Sequence, residues 1–252
     1  IRIGEKLNDR GVVGSGYEGL GTYYILAGKV DDALSNFRRA LDGYERSGSA
    51  AGMARTLNAI ASQVYLPKGR FAEAMDAYQR CIRLFEETKD EAGVAGALIN
   101  IGSIHLRQSR YVTAVDYMQK GLKISETIRH LKWSRNAYQN MASAYQYLGR
   151  TDSALLCIER TVQLNQELGD KAGIANAHIL KGNMFLRQQK ATEALEEFAT
   201  AIRFAKESGD KKAHALALVN GAVIHGRKGK YDLCQQQSEE AVRLYESIGD
   251  SV

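Results

Sequence analysis

Apolar residues along this chain fall at helical spacing, and the helical pattern itself returns every 40 residues. A small residue stands at Ala33, Ala74, Ala114, Ala154, Ala194 and Cys234, with one longer step of 41 at the start. A second small set follows seven residues later, at Ala40, Cys81, Gly121, Thr161, Ala201 and Ala241. A third opens each unit at Gly21, Ala61, Gly102, Ala142, Gly182 and Ala222. The additional residue of the first step is expected in a loop around Pro67–Lys68. In the fifth unit Ala194, Leu195, Phe198, Ala201, Ile202 and Ala205 form the i, i+3, i+4, i+7, i+8 stripe of a helix that buries one face. A fixed period of this length signals an array of supersecondary units, each too small to bury its own stripe.

Two kinds of break punctuate each unit. Gly169-Asp170, Gly209-Asp210 and Gly249-Asp250 pair a residue suited to a left-handed cap with one suited to start a helix; Lys89-Asp90 and Gly48-Ser49 are weaker copies. A second break recurs at Gly28, Gly69, Gly149 and Gly229, with Ser109 and Gln189 in its place in two units. Acidic residues follow it at Asp31, Glu73, Asp152, Glu193 and Asp232, where a helix dipole favours them. Each unit therefore reads as helix A, short turn, helix B, longer turn. In the fourth unit this places helix A over Leu131–Tyr147 and helix B over Thr151–Glu167. The large residues Tyr24, Phe37, Phe71, Tyr78, Tyr145, Phe185, Phe198 and Tyr231 are expected to fill the space between units.

Composition agrees with an all-α chain. There is one proline, Pro67, in 252 residues, so little interrupts the helices. The net charge of +5 favours acidic partners. No Lys/Arg run or Arg/aromatic block of the kind used for nucleic acid is present. No stretch of eighteen apolar residues could span a membrane. Cys81, Cys157 and Cys234 form no CxxC pair, which argues against a disulfide framework or zinc site and fits a reducing, cytoplasmic compartment.

Leu20–Leu41 (LGTYYILAGKVDDALSNFRRAL), Ile101–Leu122 and Met141–Val162 closely resemble the tetratricopeptide repeat consensus. The resemblance runs from about Gly16 onward. It implies a right-handed α–α superhelical solenoid of about six helix–turn–helix units, near residues 16–48, 49–88, 89–128, 129–168, 169–208 and 209–248. Residues 1–15, rich in glycine, are expected to be irregular or a degraded helix of a preceding unit. The period near 40 and the missing proline at the end of helix B depart from the ordinary repeat. Both resemble the extended subclass of Pins-type adaptors, MalT-like regulators and bacterial signalling proteins. Gly249-Asp250 reads as the opening of a further turn, so the chain is expected to be a piece of a longer one.

No catalytic constellation emerges. His105, His130, His178, His214 and His225 sit in no HExxH, GxSxG or phosphate-loop pattern. His105 and His225 take the slot of Tyr145 and Phe185, so packing is the expected role. The Gln235–Gln237 run is expected on a solvated face. No enzyme, metal or cofactor is predicted.

The resemblance implies that the A helices line a concave surface. Projecting each one away from its small residue gives Arg55 in the second unit and Asn100, Ser103 and Arg107 in the third. The fourth offers Asn136, Asn140, Ser143 and Tyr147, the fifth Asn176, Asn183 and Arg187, and the sixth Asn220 and Arg227. Asn100, Asn140 and Asn220 are in register, as are Arg107, Arg187 and Arg227. Asparagine is a mediocre helix former whose amide can pair with an extended backbone, and arginine presents a planar fork to carboxylates. The predicted function is a protein-interaction scaffold that holds an extended, partly acidic peptide. Two alternatives stand beside it: a sensory or regulatory region of a larger signalling protein such as a histidine kinase or transcription regulator, and a self-association module pairing through an uncapped end near Val242 and Tyr245. The lysines of the chaperone-tail clamp are missing, since Ile99 and Gln139 precede Asn100 and Asn140.

Overall fold

The computed structural model describes residues 1–249 and is helical almost throughout. After a short α1 (Arg2–Leu7) come α2 (Arg10–Leu26) and α3 (Val30–Ser47), then α4 (Ala50–Ala59), which runs into a π-helical turn over Ile60–Tyr65. Next are α5 (Phe71–Glu87), α6 (Glu91–Arg107), α7 (Tyr111–Thr127) and α8 (Leu131–Tyr147). The chain continues through α9 (Thr151–Glu167), α10 (Lys171–Arg187), α11 (Ala191–Ser208), α12 (Lys211–Arg227) and α13 (Tyr231–Ser247). From α2 onward the even-numbered helices are A and the odd-numbered are B, and α8 and α9 fall at the residues the repeat predicts. Asp250, expected to open a further turn, lies outside the described residues.

Local chemistry explains the punctuation. Ser49, Asp90, Asp170 and Asp210 each cap an A helix by accepting from the backbone N–H three residues on, at 2.8–3.2 Å. The turn before α8 carries no Gly-Asp signature, yet it is built alike: Arg129 adopts φ +52° and His130 Nδ1 accepts from the Trp133 N–H at 3.3 Å. The short turns close through a left-handed residue, glycine in four units and Ser109 and Gln189 in the other two. Each ends on a basic residue ahead of helix B: Lys29, Arg70, Arg110, Arg150, Lys190 and Lys230. That site also faces the carbonyl end of the preceding A helix, where a cation is favourable.

Two expectations need correction. The first A helix begins at Arg10, so residues 10–15 of the stretch expected to be irregular or a degraded preceding helix are its opening turns, capped by Asp9 on the Val12 N–H at 3.0 Å, with the short α1 ahead of it. Its glycines lower intrinsic propensity, but Gly14 lies against Gly43 so closely that a side chain on Gly43 would meet the Gly14 Cα at 2.9 Å. The backbones of α2 and α3 can approach only because both residues lack a side chain.

The additional residue of the first step is not in the Pro67 loop. Every short turn has the same length from its left-handed residue to helix B. The extra residue instead widens the end of the second A helix, where Leu66 donates to the Ala61 carbonyl five residues back, at 3.0 Å. The equivalent bond in the first unit reaches only four back, from Ala27 to Tyr23. A π-turn of this kind is how a helix absorbs one inserted residue without moving its neighbours.

The described chain divides into two compact bodies, Ile1–Asn140 and Met141 onward. The small residues seat large ones from the partner helix. In the first body Gly21 lies under Phe37, and in the second Gly182 lies under Phe198; a methyl group at either glycine would fall 2.5 Å from the ring. Phe37, Tyr78 and Phe198 are fully buried, whereas Tyr231, expected to fill an inter-unit gap, is 74% exposed. It opens the last B helix, and no further described helix stands beyond it.

Candidate functional site

The second body carries a groove of about 570 Å³ walled by three successive A helices. The end of α8 supplies Ser143 and Gln146, α10 supplies Asn183 and Arg187, and α12 supplies Arg227. The floor is apolar, with Leu180, Met184 and Val223 from the A helices and Ile158 from α9. Ser143, Asn183, Arg187 and Arg227, which projection of the A helices assigns to this surface, all line the groove. Projection alone does not give the floor. Leu180 and Val223 interrupt the polar rows, holding the slots taken elsewhere by Asn140 and Asn220 and by Ser103, Ser143 and Asn183.

Arg187 and Arg227 are exposed and make no ion pair among the described residues. Each ends its A helix, where the dipole favours a cation. The asparagines have a double role. Asn220 Nδ2 donates to Asn183 Oδ1 at 3.0 Å, tying α12 to α10. In the first body Asn140 Nδ2 donates to Ser103 Oγ, also at 3.0 Å and also 37 residues back. These bonds pin neighbouring A helices in register. The bridge in the second body leaves the Asn183 Nδ2 hydrogens and the Asn220 oxygen for other partners.

The remaining projected residues are placed as follows. Asn100 is half-buried on α6 and Arg107 is exposed at its end. Asn136 accepts from the neighbouring Arg135 at 3.3–3.4 Å. Tyr147 is 65% exposed at the end of α8. Asn176 turns back on its own helix, donating to the Ala172 carbonyl at 2.9 Å. Arg55 stands 3.6 Å from Glu18.

The ionisable side chains elsewhere are built into packing. Burial raises the Cys81 thiol to about 12 and the Cys157 thiol to about 11, so neither is a ready nucleophile. His105 stacks on Tyr117 with ring centres 5.3 Å apart, and burial followed by the Arg110 charge lowers its pKa. Burial, then Lys230 and Lys228, lowers His225 in the same slot. His178 Nδ1 lies 2.6 Å from Glu197, which Lys181 also approaches at 3.0 Å. Burial would raise Glu197, but hydrogen bonds from His178 and Lys181 more than offset it and hold the carboxyl low. Gln235 bonds Glu239 on an exposed face, while Gln237 turns inward over Gly221. Among the described residues no group of three His, Cys, Asp or Glu side chains is placed to hold a metal ion. No helix there is long and apolar enough to cross a membrane.

Paired antiparallel helices repeating every 40 residues, with small residues at the A–B contact and a groove walled by A helices, define a helical-repeat protein of the interaction type. The tetratricopeptide repeat family model matches residues 13–87, 52–127, 93–167 and 133–207, and the chain belongs to that family of protein-interaction scaffolds. It is similar to the 43 kDa receptor-associated protein of the synapse from Tetronarce californica, 19% identical over 191 residues. That match takes in 75% of this chain and 46% of the other, so the chain spans about half the length of the curated relative. Among solved structures it resembles a Signal Transduction ATPase with Numerous Domains protein with a tetratricopeptide repeat sensor from Pyrococcus horikoshii. The TM-score is 0.78 at 17% identity, over 96% of this chain and 38% of that one. It also resembles a Rap protein complexed with competence and sporulation factor, at TM-score 0.64 and 14% identity, over 94% of this chain and 78% of that one. At these identities the likeness shows the fold alone.

Proposed function

We propose that the chain is an interaction scaffold that grips an extended, partly acidic peptide segment of a partner protein across its A helices. The observation that carries this is the pair of exposed arginines, Arg187 and Arg227, standing at one groove without an acidic partner among the described residues. Asn183 and Asn220 supply donor and acceptor capacity beside them, which suits a peptide backbone whatever its side chains. Asn100, Arg107 and Asn140 occupy the same registers in the first body and are proposed to serve the same ligand. Asn136, Tyr147, Asn176 and Arg55 would have outer roles, each after leaving its present partners. Several hydrogen bonds of about 0.5–1.5 kcal/mol each, with one apolar seat, are enough for binding near micromolar, about 8 kcal/mol.

The test is capture of partners from a lysate by the wild-type chain and by an Arg187→Glu/Arg227→Glu version, with both eluates read by mass spectrometry. A partner retained by the first and lost by the second supports the groove. Equal retention would mean that another surface binds.

A second reading, self-association through the last helix, is favoured by the 74% exposure of Tyr231 and 43% exposure of Val242. Sedimentation that stays monomeric at high concentration would remove it.

A further inference from the structure

The groove of the second body has more definition than a generic basic surface. Arg187 and Arg227 hold the same position on consecutive A helices that touch directly, as the 3.0 Å Asn220–Asn183 bond requires. Packed helices lie about 8–10 Å apart. A polyproline-type chain advances about 3.1 Å per residue, so a chain crossing from one helix to the next covers that interval in about three residues. One to two helical turns back from the arginines the lining includes apolar residues: Met184 and, a turn further, Leu180 on α10 face the same groove as Val223 on α12. The two cations therefore flank the rim above an apolar seat.

Charge at this end of the body points the same way. The short-turn edge carries Arg150, Arg187, Lys190, Arg227, Lys228 and Lys230 against Asp152, Glu193 and Asp232, an excess of three positive charges. Lys190 also approaches the Phe185 ring at 5.9 Å. A ligand's acidic groups would be drawn to this edge and its apolar group pushed one turn inward.

We infer that the groove selects an extended segment of polyproline type, whose three-residue turn brings every third side chain to one face, in which two carboxylates stand three residues apart and a large aliphatic or aromatic side chain lies between them. The carboxylates meet the Arg187 and Arg227 forks, and the apolar side chain seats on Leu180, Met184 and Val223. This rests on the peptide-groove reading and adds the spacing and the anchor.

The experiment is selection of a random twelve-residue peptide library, displayed on phage, against the whole chain. Synthetic copies of the enriched peptides are then measured by fluorescence anisotropy on wild type, Arg187→Gln, Arg227→Gln and Leu180→Ser. The expected result is enrichment of Asp or Glu pairs at a spacing of three around Leu, Ile, Met or Phe. Each protein variant, and each Glu→Gln or Leu→Ser change in the peptide, should weaken binding tenfold or more. Peptides with another acid spacing, or without an apolar residue, that still depend on Arg187 and Arg227 would overturn the inference and leave the peptide-groove reading standing. Enriched peptides indifferent to all three protein variants, or no enrichment at all, would overturn both. Circular dichroism of the variants, whose arginine changes are at exposed positions, checks that the fold is intact.

Discussion

Asn220 donates to the side-chain oxygen of Asn183 across 3.0 Å, and Asn140 repeats the arrangement on Ser103 in the first body. The same asparagine row thus ties consecutive A helices together while leaving amide groups free at the groove. At the intervening unit Leu180 stands where the donor would be, and that substitution opens the apolar floor. Asn220→Ala should cost about 0.5–1.5 kcal/mol in urea unfolding. In a double-mutant cycle with Asn183→Ala the two losses should be less than additive, because both remove one bond. Strict additivity would mean that the pair is not coupled.

Gly182 seats Phe198 with no room to spare, since an added methyl would stand 2.5 Å from the ring. Gly182→Ala should therefore destabilise by about 1–3 kcal/mol despite alanine's better helix propensity. Phe198→Leu in the same chain should recover part of the loss. Thermal melts of the single and double variants decide the matter, and an unchanged or raised Tm for Gly182→Ala alone would contradict this packing.

Ser109 and Gln189 hold left-handed conformations, φ +59° and +62°, at the turn position that is glycine in the other four units. Gln189→Gly should stabilise by about 0.5–1 kcal/mol, because a side chain there costs about 1–2 kcal/mol and glycine's looser unfolded state takes back part of the gain. The reverse change, Gly149→Ala at φ +70°, should destabilise. Denaturation midpoints for the two variants should move in opposite directions.

Burial holds His105, His214 and His225 below their ordinary pKa, so the folded chain binds fewer protons than the unfolded one as pH falls through that range. Their contribution is complete above the unfolded value near 6.5 and is lost on acidification. The Tm should decline from pH 7 to pH 5. It should decline less in a His105→Phe/His225→Phe version, which borrows the aromatic of Phe185 in the same slot. Carboxylates such as Glu197, already held low, would respond only at more acidic pH. Equal declines for the two proteins would remove His105 and His225 as the cause.

The π-turn makes a further contrast. Deleting Gln63, an exposed residue inside Ile60–Tyr65, should convert the segment to regular α-helix and leave the fold intact. Deleting Gln146 from the corresponding stretch of α8 would rotate everything after it by about 100° relative to its unit, and should lower the Tm far more. Comparable melts for the two deletions would argue against the inserted residue residing in the helix.

The sequence by itself determined the repeat, the helix pairs and most of their ends. Those depend on local chemistry: a 3.6-residue apolar period, Asp at the start of several A helices, and Gly after most helices. It also placed Ser143, Asn183, Arg187 and Arg227 on one surface, because a regular repeat turns register into position. Tertiary structure alone decided the rest. The Gly-rich start of α2 is helical because Gly14 and Gly43 let two backbones meet, and propensity contains no term for that. The extra residue entered a helix because the turn geometry was already satisfied. His130 caps α8 where no Asp announces it. Whether an asparagine faces a ligand, a neighbouring helix or its own backbone depends on what stands 37 residues away or one turn behind. Ser103 receives Asn140, Asn183 receives Asn220, and Asn176 folds back on Ala172.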